Sequence, residues 1–156
     1  MFSPSYLRRF PPSRWTVTWL LCILVIADGC SGHSEDEVSR VTSPGGGMEA
    51  VQTELNGGAT TSFGYDVYIT RKGDKNLRSS IASLYGATRN DNAYGANLIW
   101  QSNSDLRVEY QQALSTKLIA PSVSIAGQEV RVTLVPGQID NNAAPGGMLY
   151  NLRGRE

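Results

Sequence analysis

The sequence predicts a mostly β fold: one small antiparallel β domain of five to seven strands, preceded by a signal peptide and a flexible tether. Three observations carry this. Apolar residues recur with period two in several short runs, which is the pattern of a half-buried strand. Asn-, Gly- and Asp-rich turn segments separate those runs, as tight reversals require. About 105 residues follow the tether, enough for one independent core.

The elements follow in chain order. Residues 1–29 read as an export signal. Arg8, Arg9 and Arg14 precede a 13-residue run from Trp15 to Ala27 that only Thr16 and Thr18 interrupt, and Asp28, Gly29 and Cys30 close it. A basic start, a short apolar stretch and a small-residue exit form the secretory pattern, and a bilayer span needs about 20 apolar residues. The exit resembles a bacterial lipoprotein signal, which implies lipidation of Cys30. Asp28 departs from that pattern, and ordinary cleavage after Gly29 is the alternative reading. Arg8-Arg9 lacks the flanking residues of a twin-arginine signal.

Residues 30–47 read as a tether, because Val38 and Val41 are its only aliphatic residues and so little apolar surface does not offset the cost of ordering. His33, the sole histidine, falls in it and reads as solvated. The β domain is expected over residues 48–153. Val51, Thr53 and Leu55 alternate with Gln52 and Glu54, and Asn56-Gly57-Gly58 turns the chain. In Tyr65–Thr70, Tyr65, Val67 and Ile69 share the apolar parity, and Lys72-Gly73-Asp74 ends the run. Leu77–Tyr85 fits a strand or a short helix. Leu98-Ile99-Trp100 and Leu106–Tyr110 form a hairpin about the tight reversal Asn103-Ser104-Asp105. Gln111–Leu118 is expected to make a helical turn or two before Pro121. Val123–Ile125 and Glu129–Val135 form a second hairpin, with Gly127 supplying positive φ. Val67, Ile69, Trp100, Leu106, Val108, Val130, Val132 and Leu134 are the expected core.

Charge and residue counts exclude several functions. Beyond residue 29 the chain carries 11 basic and 13 acidic residues, which argues against nucleic-acid binding through bulk phosphate attraction. No cysteine follows Cys30 and no histidine follows His33. Cys–His and Ser–His–Asp nucleophile pairs therefore lack a base. Lys72, Lys75 and Lys117 stand at no recognised serine–lysine spacing. Asp66, Asp91, Asp105, Glu109, Glu129 and Asp140 are the acids available for a carboxylate hydrolase. Asp105 and Glu109 lie on one strand face about 13 Å apart, too far for glycosidase geometry. Asn90-Asp91-Asn92 and Asp140-Asn141-Asn142 read as turns, since neither run has the closing glutamate of a calcium loop. Gly57-Gly58 and Gly146-Gly147 read as turn glycines, as no Lys-Ser/Thr follows them. No cofactor and no metal is expected.

The stretch Tyr85–Gly95 combines two tyrosines, an arginine and Asn90-Asp91-Asn92, a composition favoured at binding surfaces. Arg89, Asn90, Asp91 and Tyr94 are the candidate partner-binding residues. The alternative is a connection pinned to the sheet by its aromatics.

Asn56-Gly57-Gly58-Ala59-Thr60-Thr61 with the strand Tyr65–Thr70, and Trp100 with the Asn103–Asp105 turn and Leu106–Tyr110, resemble a family of small bacterial envelope proteins of uncharacterised function. Many of these carry lipoprotein-type signals. The second pattern also resembles one blade of a periplasmic propeller, but the chain is too short to close a ring. The resemblance spans some sixty residues and implies location and fold class alone. The expected function is an exported, lipid-anchored envelope protein, periplasmic or on the outer surface, whose non-catalytic β domain binds an envelope protein or polymer. A small carboxylate-dependent hydrolase is the alternative.

Overall fold

The computed structural model describes residues 34–143. The signal segment 1–29, Cys30, His33 and residues 144–153 of the expected domain, with Gly146-Gly147, lie outside them.

The described residues form eleven strands, more than the five to seven expected, nine of them in the two sheets of a β-sandwich. The first sheet is built from β1 (Ser34–Thr42), β2 (Met48–Asn56), β3 (Gly64–Arg71), β4 (Ala82–Tyr85) and β9 (Ser115–Leu118), hydrogen-bonded in the order β1-β2-β3-β4-β9. The second contains β7 (Asn97–Ser102), β8 (Asp105–Tyr110), β10 (Ser122–Ile125) and β11 (Gln128–Pro136), in the order β10-β11-β8-β7. A two-residue pair, β5 (Arg89–Asn90) and β6 (Ala93–Tyr94), forms a separate hairpin. Pairing is antiparallel throughout except that β11 runs parallel to β8. Inward residues of both sheets form one core that includes Ala50, Tyr65, Val67 and Leu84 from the first and Leu98, Leu106, Val108, Val130 and Val132 from the second.

Several expectations are corrected. The tether expected at 30–47 is ordered structure from Ser34 on. β1 pairs antiparallel with β2 from Ser34↔Asn56 to Thr42↔Glu49, with a bulge between Glu37 and Ser39. Composition misleads here because an edge strand needs few apolar residues when its backbone is paired. Val38 and Val41 pack against the core. Arg40 bridges Glu37 at 2.7 Å and Glu49 of β2 at 2.6 Å. The run Ser43–Gly47 is a hairpin loop: the Met48 N–H donates to Ser43 Oγ, and the Gly45 N–H donates to Asn103 in the β7–β8 turn.

Gln111–Leu118 forms no helix, and there is none among the described residues. Its second half becomes β9, because the backbone of β4 offers partners along its open side: Leu84 pairs with Thr116 and Tyr85 with Ser115. Leu77–Tyr85 resolves to a strand over its last four residues.

Val67, Ile69, Leu106, Val108, Val130 and Val132 are buried as expected. Trp100 and Leu134 are only half-buried against the core. Trp100 lies at the border of the sandwich, where its indole N–H donates to the Val41 carbonyl at 3.0 Å and links the second sheet to β1. The Ala126-Gly127 turn has positive φ at both residues, 53° and 82°, the form that matches strand twist in a two-residue hairpin.

Candidate functional site

The hairpin β5–β6 closes one end of the sandwich. Arg89 pairs with Tyr94 and Asn90 with Ala93, and the Gly95 N–H donates to the Thr88 carbonyl at 3.0 Å. At the tip, Asn90 Oδ1 accepts the Asn92 N–H at 2.8 Å, an Asx turn that folds the loop on itself. Asn90 and Asp91 are exposed.

Arg89 and Tyr94 point the other way. Tyr94 is buried, and its ring meets Tyr65 edge to face at 6.3 Å between centroids. The Arg89 guanidinium carbon sits 3.8 Å above the Phe63 ring and 5.2 Å from the Tyr94 ring. Its Nε lies 3.5 Å from Glu54 Oε2. The structure thus divides the four expected partner-binding residues: Asn90 and Asp91 remain on the surface, while Arg89 and Tyr94 are internal. The physical reason is Glu54. Its side chain is 1 % exposed, and a carboxylate at such depth requires a cation and hydrogen bonds. Arg89 brings the charge, and the Tyr65 hydroxyl donates to Oε2 at 2.8 Å.

Sequence reasoning missed Glu54 and Gln52. The alternation of Val51, Thr53 and Leu55 placed both polar residues on the outer face of β2. The register places them inward: Gln52 lies opposite Val67 and Glu54 opposite Tyr65, both core residues. The Gln52 amide donates to the Tyr94 carbonyl at 3.2 Å. Val51 and Thr53, on the opposite face, are buried as well, so apolar parity alone does not decide orientation on this strand. A signal was present in the pairing of Met48 and Ala50 with the parity of Gln52, since small or apolar residues on that side continue the core stripe.

The cluster raises the ionisation points of both tyrosines. Burial is the main cause at Tyr65 and Tyr94, and the neighbouring Glu54 charge adds to it. Both hydroxyls therefore stay protonated at neutral pH, and that of Tyr65 donates to Glu54. The arrangement is a neutralised, enclosed polar cluster that fixes the hairpin onto the sandwich.

Two of the acids considered for hydrolysis face arginines. Arg131 lies 3.7 Å from Asp105, and Arg107 lies 3.2 Å from Glu109, all on the outer face of the second sheet. Among the described residues no group of three or more His, Cys, Asp or Glu side chains converges as a metal site would need. No family model, no curated protein and no solved structure matches this chain.

Proposed function

We propose that this is an exported bacterial envelope protein, anchored by lipid at Cys30, whose β-sandwich is a non-catalytic module for binding an envelope protein or polymer. The observation that carries the reading is the segment from Arg8 to Cys30, with its basic start, 13-residue apolar run and Ala27-Asp28-Gly29-Cys30 exit. A sandwich with a closed, charge-balanced interior supports the binding half, since rigid sheets present loops for recognition. The hydrolase alternative gains no support from the geometry: Asp105 and Glu109 face arginines, and Glu54 is enclosed.

The test is mass spectrometry of the protein recovered from the membrane fraction. The expected N-terminus is Cys30 carrying acyl chains, and Cys30→Ser is expected to release the domain into the soluble fraction. An N-terminus at Met1 would overturn export with cleavage. A processed but unmodified Cys30 would overturn the anchor alone.

A further inference from the structure

At one end of the sandwich, where β3 terminates and the β10–β11 hairpin turns, lies a cleft of about 420 Å³ lined by Ile69, Arg71, Arg78, Ile81, Val123 and Ile125, among others. That volume falls in the range of ligand sites, about 300–1,000 Å³. Its composition is divided. Ile69, Ile81, Val123 and Ile125 supply an aliphatic floor, and Ile69 and Ile81 belong to the buried core. Arg71 and Arg78 are exposed at the rim, with no salt-bridge partner for either among the described residues. Four basic residues stand against one acid between Arg71 and Arg78. That acid, Asp74, is engaged locally, accepting the Asn76 N–H at 2.9 Å. The walls are held from two sides. The Gly73 N–H donates to Glu49 at 3.0 Å, and the Ile81 N–H donates to the Val67 carbonyl at 2.8 Å.

We infer that this cleft is a recognition site for a short acidic peptide segment of a partner protein, with an aliphatic side chain on the Ile69–Ile125 floor and a carboxylate on the Arg71 and Arg78 guanidinium groups. The inference rests on the binding-module reading and names its partner class. Two guanidinium forks match carboxylates in charge and planar geometry. An aliphatic floor fits an aliphatic side chain, and no aromatic ring lines the cleft to stack on a sugar, so the composition favours a peptide over an acidic polysaccharide.

The experiment titrates the purified, full-chain protein in detergent with a fluorescein-labelled pentapeptide alternating glutamate and leucine. Comparison probes replace glutamate by lysine, replace leucine by serine, or substitute an oligogalacturonate. Saturable binding of the first peptide is expected, with at least tenfold weaker binding of both altered peptides. R71A/R78A is expected to weaken binding at least tenfold while leaving the melting midpoint unchanged, because both side chains are exposed. Arg131→Ala, an exposed arginine on the outer face of the second sheet, is expected to change binding less than twofold. Absence of saturable binding would overturn the proposal. So would equal binding by R71A/R78A, or an equal loss in Arg131→Ala, which would reveal bulk charge attraction. Tighter capture of oligogalacturonate through the same arginines would replace the peptide with a saccharide. The N-terminal mass is read separately, so a failure of export and a failure of this site are distinguishable.

Discussion

Glu54 lies inside the sandwich with Tyr65 donating to it at 2.8 Å and the Arg89 Nε 3.5 Å away. Removing the cation while the carboxylate stays buried is the expensive way to break such a pair. Arg89→Ala is therefore expected to cost about 3 kcal/mol, read as a shift of the urea midpoint. Glu54→Gln keeps an acceptor for Tyr65 and removes the buried charge, so it is expected to cost less. In a double-mutant cycle the Arg89→Ala penalty is expected to shrink in the Glu54→Gln background. Equal penalties in both backgrounds would mean that Arg89 stabilises the hairpin by stacking on Phe63 rather than by charge.

Glu49 sets a pH dependence of its own. Burial pushes its carboxyl up, but the Gly73 N–H and the Arg40 guanidinium outweigh that and hold it below its ordinary value of 4.5. A carboxylate whose folded value is depressed contributes stability above its unfolded value and loses that contribution as pH falls through the folded one. Glu49→Gln is expected to flatten the decline of stability below about pH 4.5 and to leave the shape of the profile above pH 6 unchanged. Urea unfolding of both proteins across pH 3–7 checks this.

At the scale of elements, the hairpin β5–β6 is held at its base by Gly95. This residue has φ +69°, and a Cβ there would lie 2.5 Å from the Tyr65 ring and 2.7 Å from the Gln52 amide. Gly95→Ala is expected to lower stability by about 2–3 kcal/mol from backbone strain and displacement of Tyr65, seen as a lower thermal midpoint. Trp100 is a link between elements rather than the core centre that its parity suggested. Trp100→Phe keeps most of its contact area and loses the hydrogen bond to Val41, an expected cost of about 1 kcal/mol.

The hairpins β7–β8 and β10–β11 and the strand β3 were legible because period-two patterns and turn residues are local signals. β1 was not legible, since its order comes from backbone pairing with β2 and from Arg40 reaching Glu49, nine residues on. The inward Gln52 and Glu54 were equally hidden. Their partners, Tyr94 and Tyr65, lie 42 and 11 residues away, and no window on β2 contains them. In the candidate site, composition drew attention to Tyr85–Gly95 as an unusual segment. It did not show that Arg89 and Tyr94 turn inward, because the buried acid that draws Arg89 in belongs to another strand.

For the whole molecule, the single parallel pair shapes folding. β8 and β11 join only after the chain has crossed to the first sheet for β9 and returned through β10. Pairing over such separations places β-rich domains in the millisecond-to-second range of folding times. Both sheets share one core, so unfolding is expected to be a single cooperative transition. Tryptophan fluorescence and far-ultraviolet circular dichroism of the chain lacking residues 1–29, in which Trp100 is the sole tryptophan, are expected to give coincident urea curves. Separate midpoints would show that the two sheets unfold independently.

Ser34 pairs with Asn56 and Leu55 with Gly64, so β1, β2 and β3 share one end of the first sheet. Arg71, at the other end of β3, lies about 23 Å away along the strand. A support coupled through the Ser34 end would therefore leave the cleft between Arg71 and Arg78 open to solution, and a spacer of ten glycine and serine residues inserted before Ser34 is expected to leave its affinity for a peptide unchanged.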